Sequence, residues 1–308
     1  MSNVKIVGTG MCVPQSHLKN EDLIIENKLD TTDKWIRENV GIKQRRVVTD
    51  ETSASLGAEA VKNAVKDANM SLKDVDLLIV ATTTPTKMSP STACIIKDSL
   101  LMEDAVAFDI AAVCSGFLFG LDIASQYIGS GRYTNAVVVG VDVFSTITDW
   151  THKHSIFFGD GAGAFVLKKD YKGGFLGFKL YSDSKDSTGF FCNHGETFTM
   201  NTRSVYDTAT RVLPIAVNGI LSKVGMKIHE IDYLVPHQPS KRILEDVADE
   251  LYLPRKKLLM NMENYANTVA ATIPILYHEN KDLFKYEDKI LFAAIGSGWT
   301  YGAAIYEE

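Results

Sequence analysis

Residues Ala105–Ile128 read AVAFDIAAVCSGFLFGLDIASQYI, and the change of period around their one cysteine decides the fold. Val106, Phe108 and Ile110 alternate as on a strand, and then small residues surround Cys114 in the run Ala111-Ala112-Val113-Cys114-Ser115-Gly116. Beyond it, Phe117, Leu121, Ala124 and Ile128 recur at the three- to four-residue steps of one helical face. The pattern predicts a strand feeding a sharp turn that carries Cys114 onto the first turn of a buried helix. Unpaired N–H groups and the positive end of the helix dipole favour a thiolate there. Small neighbours leave room for another molecule to reach the sulfur. A cysteine between small apolar residues also fits a packed core side chain. The strand-to-helix position and two later stretches favour chemistry.

A chain of 308 residues, 45% hydrophobic and 23% charged, holds one large domain or two closely packed halves. A net charge of -6 argues against a nucleic-acid surface and offers no polybasic stretch to a membrane. No apolar run reaches the ~18–20 residues that span a bilayer. The beginning, MSNVKIVGTGMCVP, has no basic segment followed by a long apolar one, so no signal peptide is expected. Cys12, Cys94, Cys114 and Cys192 lack CxxC spacing, which suits reduced thiols in a cytosol and no metal site.

Working outward, Val4 to Val7, Asp76 to Thr82 and Asn135 to Val143 read as strands, and Ser53 to Asn69 as a helix. Asp30 to Arg46 is polar and partly helical, with Trp35 and clustered cations. The glycines of Phe157–Leu167 (FFGDGAGAFVL) lack GxGxxG spacing and precede a strand, so they point to close packing and not to phosphate binding. After about residue 171 the pattern restarts, with strands at Gly174–Tyr181, Ile231–Val235, Lys289–Ile295 and Tyr301–Tyr306 and a helix at Ala209–Val224. Val61–Val80 lies on Val217–Pro236 at a constant offset, the step from Met70 to Met226, with Asp76/Asp232 and Leu78/Leu234 also identical. A duplicated βα unit explains that order.

Two turns in the second half complete a set. His237, in YLVPHQPSKRI, follows a buried strand at the end where α/β sheets place ligands. Asn267, in NMENYANTVAATIP, sits at a helix start, where it reads as an N-cap or as an exposed amide donor. A cysteine, a histidine and an asparagine on such turns make up a thiol acyl-transfer site: a nucleophile, an imidazole, and a neutral donor for a developing oxyanion.

With these residues, the motifs GTG, TTDKWI, GIKQRR, DxxxxCSGF, FFGDGAGA, VPHQPSKRI, NTVAATIP and GSGWTYGAA resemble the thiolase-fold condensing enzymes. Within them the whole chain is similar to β-ketoacyl-ACP synthase III. The resemblance implies an α/β, thiolase-like five-layer αβαβα fold of two duplicated halves, 1–170 with the cysteine and 171–308 with the histidine and asparagine. It implies catalytic Cys114, His237 and Asn267, and substrate contacts from Trp35, Ser89, Arg242 and Ser297. The implied reaction is decarboxylative condensation through an acyl-Cys114 intermediate, with no cofactor. Its substrates are acyl-CoA or acyl-carrier protein and malonyl-carrier protein, and the setting is a cytoplasmic homodimer. An acyltransferase of the same fold, passing the acyl group to oxygen or nitrogen, is the alternative.

Four departures from the resemblance bear on the substrates. Asn39 stands where the family has an arginine near the CoA nucleotide, and a second such arginine falls on His152 or Lys153. On the carrier-docking face Lys241 and Arg242 remain, while Asp207, Asp249 and Glu250 replace cations, a reversal expected to repel acidic carriers. Segment 182–202 is shorter than usual. Ser89 replaces a bulky residue that the dimer partner supplies to the acyl pocket, which predicts room for a longer or branched chain.

Overall fold

A computed structural model describes residues 3–170, 172–185 and 188–308. The first sheet contains β1 (Asn3–Cys12), β2 (Leu77–Ala81), β3 (Val106–Ile110), β4 (Asn135–Asp142) and β5 (Gly161–Asp170), ordered β1-β5-β4-β2-β3. The second contains β6 (Gly174–Ser182), β7 (Tyr233–Pro236), β8 (Lys289–Gly296) and β9 (Thr300–Glu307), ordered β7-β8-β9-β6. β2 runs parallel to β3 and β4, and β7 runs parallel to β8; the remaining pairs in both sheets are antiparallel. Four strands of each sheet thus share one order and orientation, and β3 is an added edge.

The helices used here are α1 (Asp33–Asn39), α2 (Ser53–Asp67), α3 (Thr92–Ser99), α4 (Gly116–Gly129), α5 (Thr202–Val224), α6 (Lys241–Glu250) and α7 (Thr272–Asn280). Alternation along the strands builds the layers. Leu78 and Val80 of β2 pack outward on α2 and α3, while Leu77 and Ile79 face inward. That inner layer holds Phe117 and Leu121 of α4 and Leu276 and Tyr277 of α7, and Ile290 and Phe292 of β8 close it from the second sheet. Leu291, Ala293 and Ile295 then pack on Val212, Ala216 and Ile220 of α5. Helices, sheet, helices, sheet, helices give the five layers expected.

The duplication goes further than the sequence match. The short 3₁₀ turns Leu72–Asp74 and Ile228–Glu230 are 156 residues apart, as are the turns Val113–Ser115 and Val269–Ala271 and the starts of α4 and α7. Val113 and Val269 occupy equivalent places, and both have positive φ, 47° and 54°. That region is strained for a β-branched residue, and such strain is held where packing over-determines the backbone. Gly140 and Gly296 share the same offset and serve the same purpose in trans. A side chain at Gly140 would run into the Ala270 carbonyl, and a Cβ at Gly296 would lie 2.8 Å from Ala112 O and 2.9 Å from Cys114 N. Each half therefore supports the turn of the other.

Three readings need adjustment. β1 continues through Gly8-Thr9-Gly10 to Cys12, because antiparallel pairing with β5 extends that far. α5 begins at Thr202, well before Ala209, because the Asn201 side chain caps it by accepting from Arg203 N and Ser204 N. Arg45, within the clustered cations, is wholly buried. Its guanidinium donates to Leu18 O at 3.1 Å, Asn20 Oδ1 at 2.8 Å and Ile156 O at 3.0 Å, while burial pulls it down to about 10.

Candidate active site

Cys114 lies in the 3₁₀ turn between β3 and α4, one step ahead of the helix and not on its first turn. It is the buried one of four free cysteines; Cys94 and Cys192 are exposed. Burial, and then the field of Asp142, push its thiol up, opposite to the effect expected from the helix end. The resting sulfur therefore keeps its proton. Asp142 itself is pushed up to about 7 by burial, despite accepting from Thr83 N at 2.7 Å and from Ala270 N at 3.2 Å.

His237 follows β7, and its backbone N–H donates to Ala293 O at 2.8 Å, extending the parallel pairing with β8. The ring is 3% exposed, and burial pulls it down to about 3, so it is neutral. Its Nδ1 lies 2.8 Å from Thr272 Oγ1. Asn267 is fixed differently. Its backbone makes an isolated bridge with the Phe157–Gly159 segment: Asn267 N donates to Phe157 O and Gly159 N donates to Asn267 O, both at 3.0 Å. Asn267 Oδ1 accepts from Val269 N at 2.8 Å. The N-cap position of the next turn is Thr268 and not Asn267, but the bond to Val269 N commits the amide oxygen and leaves the Nδ2 hydrogens as the side chain's donors.

One cavity of about 320 Å³ is lined by Cys114, His237 and Asn267. Trp35, Arg242 and Ser297 line it too, and so does Asn39. Ser89 does not; it is exposed on the loop after β2, away from these residues of its own chain. Phe158, Phe190, Met200, Tyr206, Arg203 and Trp299 also line the cavity and escaped the sequence reading. Phe158, within FFGDGAGA, and Trp299, within GSGWTYGAA, lay in motifs that were visible; the others carried no signal. Phe144, Phe158, Phe190 and Phe198 form one aromatic cluster next to it, with ring centroids 4.4–6.2 Å apart.

Two of the three acids read on the docking face have cation partners. Asp207 pairs with Arg203 at 2.7 Å and Asp249 with Arg255 at 2.6 Å, and Tyr206 Oη donates to Asp246 at 2.5 Å. Lys153 shares a second cavity with Trp35. Among the described residues, no helix is long and apolar enough to cross a membrane, and no group of three His, Cys, Asp or Glu side chains is placed to hold a metal ion.

Sequence models of the 3-oxoacyl-[acyl-carrier-protein] synthase III family match residues 108–184 and, for its C-terminal part, 221–307. The chain belongs to the β-ketoacyl-ACP synthase III family. It is 37% identical to the β-ketoacyl-[acyl-carrier-protein] synthase III of Clostridium acetobutylicum, covering 99% of this chain and 98% of that one. With the Aquifex aeolicus protein of the same name it shares 38% identity over 98% of each chain. The crystal structure of the Aquifex aeolicus 3-oxoacyl-[acyl-carrier-protein] synthase III superposes with a TM-score of 0.96, at 37% identity, over 99% of this chain and all of that one. The thiolase-like fold of the synthase III family is thus shown over the full length.

Because the cysteine turn rests on the backbone face of Gly296, Gly296→Ala is expected to shift it. The added methyl meets backbone atoms that cannot move aside, so a cost of about 1–3 kcal/mol is expected. Urea denaturation and the rate of acyl labelling at Cys114 should both register the change.

Proposed function

We propose that this chain condenses an acyl thioester with a malonyl thioester, with loss of CO2, through an acyl-Cys114 intermediate. The observation that carries the reading is the convergence of Cys114, His237 and Asn267 on one cavity, in a chain of the synthase III family. In the first half-reaction the Cys114 sulfur attacks the thioester carbonyl. Its proton leaves as the carbon–sulfur bond forms, because burial opposes a free thiolate, and neutral His237 is the acceptor at hand. The Cys114 N–H and the Ser297 loop meet the oxyanion; as it collapses, the donor's carbon–sulfur bond breaks and its sulfur departs as a thiol with the proton from His237, which is neutral again. In the second, the malonyl carboxylate departs as CO2 while His237 and Asn267 donate to the thioester oxygen. The resulting enolate carbon attacks the acyl carbonyl, and the Cys114 sulfur leaves and regains a proton. Neutral donors suit this step, since a carboxylate beside the enolate would repel it.

The deciding assay gives the purified protein acyl-CoA and malonyl carrier protein and follows CO2 and a β-ketoacyl product by mass spectrometry. Acyl transfer to an oxygen or nitrogen acceptor without CO2 would establish the acyltransferase instead.

The same proposal takes residues 1–170 and 171–308 as the two halves, although Tyr171 at the boundary lies outside the described residues, as do Asp186 and Ser187 of the shortened segment. It places the enzyme in the cytoplasm, which fits four free thiols. It also makes the enzyme a homodimer. β3 supports this, as an edge strand whose outer side is unpaired and whose Val106 is 47% exposed. Ser89 then faces the partner's acyl site.

Trp35, Arg242 and Arg203 hold the thioester's phosphate-bearing arm. Asn39 spends its side-chain donor on Trp35 O at 2.9 Å and offers no charge. Asn39→Arg should lower the KM for acyl-CoA about tenfold or more, the worth of a charge-assisted phosphate bond. An unchanged KM would show that the existing cations already suffice.

A further inference from the structure

We propose that Thr272 is a positioning residue whose hydroxyl sets which neutral tautomer His237 presents to the cavity. This rests on the role given above to His237. Thr272, 2% exposed at the start of α7, has one hydroxyl hydrogen and two partners in reach. That hydrogen is directed to Val269 O at 3.0 Å, so the oxygen receives the Nδ1–H of His237 at 2.8 Å. Nε2 is then left with its lone pair. In this state His237 can take the proton of Cys114. It cannot donate to a thioester oxygen.

The donor state needs the hydrogen on Nε2 and an acceptor Nδ1. Val269 O cannot supply a hydrogen to that nitrogen, whereas the Thr272 hydroxyl can, by rotating. The Val269 carbonyl stays satisfied when this happens, because the Thr272 backbone N–H already donates to it. In the interchange Nδ1 loses one proton and Nε2 gains one, exchanged with solvent in the open cavity, and the ring is neutral before and after. A hydroxyl that accepts in one state and donates in the other keeps the buried ring partnered in both. One histidine thereby serves as acceptor toward the thiol and donor toward the malonyl thioester.

Thr272→Val keeps the shape and removes the hydroxyl, and with it the group that can donate to Nδ1. Malonyl decarboxylation should fall about 10–100-fold, somewhat less than loss of the donor itself. Self-acylation at Cys114, read by intact mass, should stay within about threefold of wild type and also reports correct folding. Thr272→Ser should restore decarboxylation. Nitrogen-15 spectra of free wild-type enzyme should show His237 protonated at Nδ1. Unchanged decarboxylation in Thr272→Val, equal loss of both steps, no rescue by serine, or an Nε2–H ring in the free enzyme would each overturn the proposal. His237→Ala, run alongside, separates the causes. Normal decarboxylation in that variant removes the role of His237 itself, whereas a deficit there with none in Thr272→Val removes only the role of Thr272.

Discussion

Incubated with acyl-CoA, the wild-type chain is expected to gain one acyl mass and the Cys114→Ala variant none. Three other thiols compete for the label, and two of them, Cys94 and Cys192, are more accessible. Exposure alone would direct a reagent to those. Cys114 alone combines a sulfur with a lined cavity, a neutral imidazole and backbone donors, so thioester exchange should be confined to it. The burial that raises its thiol predicts a second result. A small alkylating reagent should react slowly with Cys114 in the free enzyme, since it has no carbonyl oxygen to occupy the oxyanion donors. Label retained by Cys114→Ala, or mapped to Cys12, Cys94 or Cys192, would end the assignment.

The next largest effect is expected from His237→Ala and Asn267→Ala in malonyl decarboxylation, a loss of about 10²–10³ each, the usual size for one oxyanion donor. Asn267 is the cleaner case. Its oxygen is committed to Val269 N and its backbone to the Phe157–Gly159 segment, so the amide hydrogens are what alanine removes from the cavity. Asn267→Asp keeps the bond to Val269 N but puts negative charge where the enolate forms, and should be at least as damaging as alanine. Self-acylation should survive better in the asparagine variants than in His237→Ala, because only the histidine also faces the thiol proton. Variants that release CO2 from malonyl thioester at the wild-type rate would refute the division of labour.

Much of this was legible along the chain because it depends on periods. Strands buried on both faces, the shift from alternation to helical spacing around Cys114, and the repeated helix–loop–strand all follow from apolar spacing. The strand-to-helix and strand-to-loop positions of Cys114 and His237, and the two-way reading of Asn267, could be taken from their immediate neighbours. The resemblance then supplied the fold that the comparisons show.

Contacts between the halves were not legible, since nothing local encodes them. Gly140 and Gly296 read as small strand residues until each is seen against the opposite turn. Arg45 reads as one of several clustered cations, yet it is buried among carbonyl oxygens and an asparagine from two distant segments. The state of the cysteine reversed for the same reason. A helix end nearby favours the thiolate, but desolvation depends on everything packed around the sulfur, and burial pushes the thiol up. Likewise, Asp207 and Asp249 looked like free acids until Arg203 and Arg255 were found beside them. The sequence by itself determined most of the elements that form and which residues are candidates for chemistry, because those are set by neighbours one to four positions away. Only the tertiary structure decided protonation, pairing and access, because each is fixed by groups that the chain brings together from far apart.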